Sequence, residues 1–241
     1  MKTSIFPREI KSFVRRQRRI TSRLQKAIDT AWPKFGVEII DEKLNLDVIF
    51  ERPAEKILEI GFGLGDTLLS MAIQNPQCDY LGIEVHEPGV ASVMMGIIEN
   101  NLTNIRVIQN DAVKILKEKI PDNTFSRIHI YFPDPWQKKR HHKRRIIQPD
   151  FVELLRHKLI NGGVIHCATD WENYAHHMMT VLSDNPGLKN CIGENQFADN
   201  EQLQLRHNTK FEKRGVKLGH GVWDLVFIKK THNPPKSPTA P

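Results

Sequence analysis

Three cysteines are all that the 241-residue chain contains, and Cys78, Cys167 and Cys191 form neither a CxxC pair nor any spacing that suits zinc. A disulfide framework and a cysteine metal centre are therefore excluded as organising features, no metal is expected elsewhere, and the thiols read as reduced. No apolar run is long enough to cross a bilayer, and no apolar core of a secretory signal follows the basic N-terminus. The expectation is a soluble, cytoplasmic protein without a membrane partner. Internal repeats are lacking too. With 39% hydrophobic residues the chain can bury one good core, but it is short for two full domains. A single domain with appendages follows.

What is abundant is positive charge. The formal net charge is +7, the pI is about 9.3, and the cations are gathered rather than spread. Clustered cations favour a polyanionic partner, because each neutralised phosphate releases a condensed counterion. A solvated basic face with no partner is the competing explanation. Residues 1–30 hold Lys2, Arg8, Lys11, Arg15, Arg16, Arg18, Arg19, Arg23 and Lys26 against only Glu9 and Asp29. This segment reads as an arm that orders on an acidic partner. Residues 231–241 contain four prolines and no regular pattern, which predicts a tail. Residues 31–230 are left as the folded domain.

Within that domain short apolar runs alternate with longer helical patterns. Strands are expected over 56–60, 80–85, 105–109, 127–132, 163–168 and 222–228. Helices are expected over 65–74, 89–101, 113–119, 150–159 and 171–183, and residues 185–205 follow no clear pattern. Such alternation specifies an α/β fold, a doubly wound parallel sheet with helices on both faces. Ligands in these sheets sit beyond the carboxyl ends of the strands.

The first strand runs into Gly61-Phe-Gly63-Leu-Gly65, and a helix begins at once. Glycines there let backbone approach a ligand, at which the amides of the helix terminus point. Alone the turn is a weak sign, shared by nicotinamide and flavin enzymes and by loops that merely need positive φ. The acids around it sharpen the reading. Glu84 ends the second strand 23 residues after Gly61, where a carboxylate can accept both hydroxyls of a ribose. Asp111 follows the third strand, within reach of an adenine amino group, and Glu59 lies two residues before the glycines. A pyrophosphate would be repelled by these carboxylates, and the dinucleotide fingerprint spaces its glycines differently. A ligand with a sulfonium and an ammonium, S-adenosylmethionine, would be attracted. Each acid taken singly is also compatible with a solvated strand end.

At the end of the fourth strand stands Tyr131-Phe-Pro-Asp134-Pro-Trp136-Gln-Lys138, continuing through Lys139, Arg140, His141, His142, Lys143, Arg144 and Arg145. Two prolines bracket and restrict Asp134, and Trp136 is placed to stack on a base. Six cations and two histidines then fill residues 138–145 without one acid. A localisation signal or a solvated loop is the plainer explanation of the basic part. Trp223 and Phe227 of the last strand read as core. His176 and His177 are adjacent on a helix, face different sides, and read as surface histidines rather than a metal pair.

These motifs, with Thr169-Asp170 after the fifth strand, Thr209-Lys-Phe-Glu212 and Gly219-His-Gly-Val-Trp-Asp224, resemble the tRNA (guanine-N7-)-methyltransferases from about residue 50 to 230. The resemblance implies a mostly parallel seven-stranded Rossmann-like methyltransferase sheet with a late antiparallel strand. It implies S-adenosylmethionine held by Glu59, Gly61, Gly63, Gly65, Glu84 and Asp111, and catalysis at Asp134. It further implies substrate contacts from Lys138, Asp170, Thr209, Lys210, Phe211 and Glu212, and RNA against Arg140 to Arg145. The implied target is the guanine at position 46 of the tRNA variable loop, and a monomer is expected, with a homodimer as the alternative. Gln137 and His142 depart from the family pattern, which has His and Asn there. A catalytically silent RNA-binding module and a nicotinamide-dependent oxidoreductase are the competing classes. The intact carboxylates and glycines argue against the first. The glycine spacing, and the lack of a proton-relay His or Tyr beside the cleft, argue against the second.

Overall fold

A computed structural model describes residues 11–13, 20–200 and 221–231. Among these, seven strands form one sheet in the order β3-β2-β1-β4-β5-β7-β6. They are β1 (Lys56–Ile60), β2 (Asp79–Glu84), β3 (Ile105–Gln109), β4 (Phe125–Tyr131), β5 (Leu159–Thr169), β6 (Leu188–Asn190) and β7 (Trp223–Lys229). β1 to β5 pair in parallel, and β7 runs antiparallel to both β5 and β6. The expected α/β sheet with its late antiparallel strand is therefore present. Strands β1 and β2 are buried along their whole length, as parallel strands covered on both faces must be.

Among the described residues seven α-helices accompany the sheet: α1 (Ser22–Phe35), α2 (Leu46–Phe50), α3 (Asp66–Gln74), α4 (Glu87–Glu99), α5 (Ala112–Glu118), α6 (Pro149–Lys158) and α7 (Glu172–Ser183). Helices α1, α3 and α4 bury Ala31, Leu68 and Met94 against Ile57, Tyr80 and Val107 on one face. On the other, α5, α6 and α7 bury Leu116, Val152 and Met178 against Leu58, Ile128 and Cys167. Alternate residues of each strand feed the two cores, as the period of two requires.

Three departures from the sequence reading have physical causes. Residues 22–30, expected to belong to a basic arm, instead form the start of a helix that begins at Ser22. Thr21 caps it, and Ala27, Ala31 and Phe35 make a buried stripe at a spacing of four that packs on α4. β5 starts at Leu159 rather than 163. Leu159 pairs with Phe125, and the register then shifts past Gly162 at φ 75° before pairing resumes at Val164. Within 185–205, the three residues of β6 add an edge to β7.

At the amino ends of the strands Asp79 is fully buried. It meets the Arg52 guanidinium at 2.5 Å and the Lys56 ammonium, itself 6% exposed, at 3.2 Å. This cluster ties α2 and the entry of β1 to β2, far from the carboxyl ends where a ligand would sit. Asp79→Ala would leave a buried cation without one of its partners, a loss of about 3 kcal/mol. Denaturant unfolding should show that loss, while any ligand affinity at the opposite edge stays within about twofold of the parent.

Candidate active site

Beyond the carboxyl ends of β1, β2 and β4 a cleft of about 180 Å³ is lined by Gly61, Glu84, Asp111, Pro133 and Asp134. Of the glycine turn, Gly61 lines the cleft, while Gly63, Gly65 and the buried Glu59 lie behind that lining. Gly61, Gly63 and Gly65 all have positive φ, at 70°, 56° and 82°. A Cβ built on Gly61 or Gly63 would meet nothing within 4 Å. Side chains there would fill space that the fold keeps clear, so the conformation and the opening both call for glycine.

The acids around the turn differ in state. Glu84 accepts the Gly63 amide at 2.9 Å through one oxygen, and the amides of Val85 and His86 at 2.6 and 2.9 Å through the other. It therefore locks the glycine turn to the end of β2 while facing the cleft. Asp111 caps α5 by accepting the Val113 amide at 3.0 Å. Glu59 lies beneath the turn, 3% exposed, with Oε2 lacking any partner. Burial, with the charge of Glu84 beside it, pushes its carboxyl up to about 8. A buried carboxyl with an idle oxygen under an open glycine cradle suits a ligand that brings a cation. The donor set thus fits the ammonium and sulfonium of S-adenosylmethionine.

Asp134 is exposed and reaches the cleft from a strained turn. Phe132 has φ 48° and Trp136 φ 45°, so two bulky residues in the left-handed region flank Pro133-Asp134-Pro135. The Phe132 amide donates to Ala168 O at 2.8 Å, which fixes the start of the turn to β5. Lys138 and Asp170 are both exposed, the first at the entry to a 3-10 turn over Lys139–Arg144, the second just past β5. Thr209, Lys210, Phe211 and Glu212 lie outside the described residues.

The basic run is not uniform. Lys139, Arg140 and Lys143 are exposed, His141, His142 and Arg144 are half-buried, and Arg145 is only 2% exposed. Unlike its exposed neighbours, Arg145 turns its guanidinium inward, against Pro135 O and Asn173 Oδ1. Trp136 has partners within the chain. Arg144 lies over its ring at 3.8 Å, and its Nε1 donates to Ser12 O at 3.1 Å. Arg144 also donates to the carbonyls of Lys11 and Phe13, at 3.1 and 3.3 Å, so residues 11–13 run along the cleft mouth. No sequence motif announced that contact.

Other assignments shift less. Phe227 is core, while Trp223 is half-buried. His177 is half-buried and donates Nε2–H to Ile147 O at 2.8 Å, a structural tie rather than a surface group. Among the described residues no group of His, Cys, Asp and Glu is arranged to hold a metal, and no helix is long and apolar enough to cross a membrane. A chain of hydrogen bonds not foreseen from sequence crosses three strands: Tyr131 meets His166 Nδ1 at 2.9 Å, and His166 Nε2 meets Asp224 at 2.7 Å.

The sheet order and the glycine cradle at its edge define the methyltransferase class. Solved structures with the same fold include the 16S rRNA methyltransferase KamB, TM-score 0.57 at 13% identity, covering 82% of this chain and 99% of that one. An antibiotic-related methyltransferase aligns with TM-score 0.55 at 18% identity, covering 79% and 95%. The family model described as "Putative methyltransferase" matches residues 53–225. Proteins named tRNA (guanine-N(7)-)-methyltransferase from Alcanivorax borkumensis and Psychromonas ingrahamii are each 50% identical, over 92% of this chain and 92% and 90% of theirs. The chain belongs to the tRNA (guanine-N(7)-)-methyltransferase family.

Glu59 generates a pH prediction. Its folded value is raised to about 8 from 4.5. Below pH 4.5 both folded and unfolded states hold the proton, so the residue contributes no pH dependence there. Between 4.5 and 8 only the unfolded state ionises, and stability falls as pH rises, levelling off above 8. Glu59→Gln should therefore make the ligand-free protein more stable at pH 8.5 by on the order of 3 kcal/mol, and change it little at pH 4.5. Chemical denaturation across that range reads the difference, and equal gains at both ends would refute the assignment.

Proposed function

We propose that this chain transfers a methyl group from S-adenosylmethionine to N7 of guanine in tRNA, at position 46 of the variable loop, in the cytoplasm. The observation that carries the reading is one edge of one sheet. An open glycine cradle over a buried, half-idle carboxyl stands there beside Asp134 and a run of exposed cations. Relatives named for this activity at 50% identity over nearly the whole chain support it.

S-adenosylmethionine, when bound, supplies an electrophilic methyl group. The residues that would hold it are Glu59, Glu84, whose carboxylate would take the ribose hydroxyls, Asp111, within reach of the adenine amino group, and the backbone of Gly61, Gly63 and Gly65. Guanine N7 carries a lone pair and no proton, so the site needs no strong general base. Catalysis is then placement and management of charge. Asp134 orients the guanine and stabilises the positive charge that grows on it. Asp170 and Glu212 accept from guanine N1 and its exocyclic amino group, a pattern that adenine cannot offer. Lys138, Thr209, Lys210 and Phe211 complete the substrate contacts. Arg140, His141, His142, Lys143 and Arg144 lie against the RNA backbone and raise its local concentration.

Transfer of labelled methyl to unmodified tRNA transcripts tests this directly, with G or A at position 46. Label confined to the guanine transcript, mapping as 7-methylguanine, is the expected result, and Asp134→Asn should lower turnover at least about 100-fold. Tight tRNA binding without label would favour the silent RNA-binding alternative.

A further inference from the structure

Arg145 closes the run of cations, yet its guanidinium makes four contacts inside the protein. Nε donates to Pro135 O at 3.0 Å. Nη2 donates to Asn173 Oδ1 at 2.7 Å and to His142 Nε2 at 3.2 Å. A guanidinium has no acceptor, so that histidine nitrogen is the acceptor. The guanidinium carbon also lies over the Tyr174 ring, 4.6 Å from its centroid. Tyr174 is itself fixed, fully buried, with its hydroxyl accepting the Ile147 amide at 3.3 Å.

These partners belong to different parts of the site. Pro135 directly follows Asp134, inside the turn between the two residues of positive φ. Asn173 and Tyr174 lie in the first turn of α7, three and four residues after Asp170. His142 lies in the 3-10 turn that presents the exposed cations. One side chain therefore joins the loop of Asp134, the segment of Asp170 and the RNA-facing turn. A strained turn persists only where its surroundings hold it, and Arg145 is the group that grips its carbonyl from the far side.

We infer that Arg145 is a positioning residue for methyl transfer, a clamp that sets Asp134 relative to Asp170, and not a contact for RNA. This rests on the functional reading given above. Lysine keeps the charge, but it has no planar fork to hold two acceptors and stack on a ring together. Arg145→Lys should therefore act on turnover rather than on tRNA affinity.

The test uses the full chain and compares Arg145→Lys, Asn173→Ala and Arg140→Ala. It measures methyl transfer at saturating cofactor, and tRNA binding separately by anisotropy. Arg145→Lys should lower kcat by about tenfold or more, with KM and Kd for tRNA within about threefold of the parent, since small misplacement of a reacting group is costly. Asn173→Ala should lower kcat less, and the double variant should fall little below Arg145→Lys alone, because both changes break one clamp. Arg140→Ala should do the reverse, raising KM and leaving kcat nearly intact. Should Arg145→Lys fail to fold, Asn173→Ala and its kcat carry the test.

A fully active Arg145→Lys, or one that weakens tRNA binding with kcat unchanged, would overturn the clamp while leaving the parent activity in place. Additive losses in the double variant, or an Asn173→Ala with parental kcat, would overturn it as well. An inactive parent chain would instead overturn the functional reading, and the clamp with it.

Discussion

Register between β1 and its neighbours is the constraint on which the site depends. Glu59 stands opposite Gly82 of β2 and His129 of β4. One face of β1 presents Ile57 and Glu59, the other Leu58 and Ile60; Ile57 enters one core, and Leu58 and Ile60 enter the other. Slipping β1 by one residue would exchange these faces, driving the carboxyl into the core under α5 to α7 and moving the glycine turn. Gly82 guards against other arrangements, since a Cβ there would overlap Phe62 and Leu68, the side chains that pack beneath the turn. Apolar packing on both faces thus fixes where a single buried acid sits.

A second constraint concerns like charge. Six cations within eight residues repel one another unless some are spread apart or neutralised. The chain turns the last of them inward, against carbonyl, amide and aromatic partners. Arg144 has another use, spanning the indole of Trp136 and the backbone of residues 11–13. The cations left outward on the 3-10 turn point where a polyanion can reach them without crowding the cleft. Charge is sorted by position, which composition alone does not disclose.

Much of this was legible in the sequence where periodicity or backbone chemistry is strong. A strand such as Lys56–Ile60 feeding a glycine cluster, and Pro133 ending β4, announce themselves through burial and φ. The acids Glu84 and Asp111 sit at strand ends, where topology brings them together. Residues 22–30 were hidden because their buried stripe is mostly alanine set among charged neighbours, so the composition of an arm masked a helix. β6 is too short to carry a period. Arg145 could not be told from Arg144, since only the fold decides which of two adjacent arginines turns inward. The Tyr131–His166–Asp224 chain joins residues up to 93 positions apart in three strands, and nothing local marks it.

The two borders of the sheet are closed in different ways. At β3 the segment after α1 folds back, and the Val37 amide donates to Val107 O at 2.9 Å. At β6 the border strand has three residues, with Lys189 exposed at its centre. Among the described residues neither border offers a long row of free amides and carbonyls to another chain. A parallel sheet rich in isoleucine and leucine would otherwise invite pairing between copies while the protein waits for its polyanion. The blunt borders leave the cationic edge of the sheet as the surface best suited to recruit a partner.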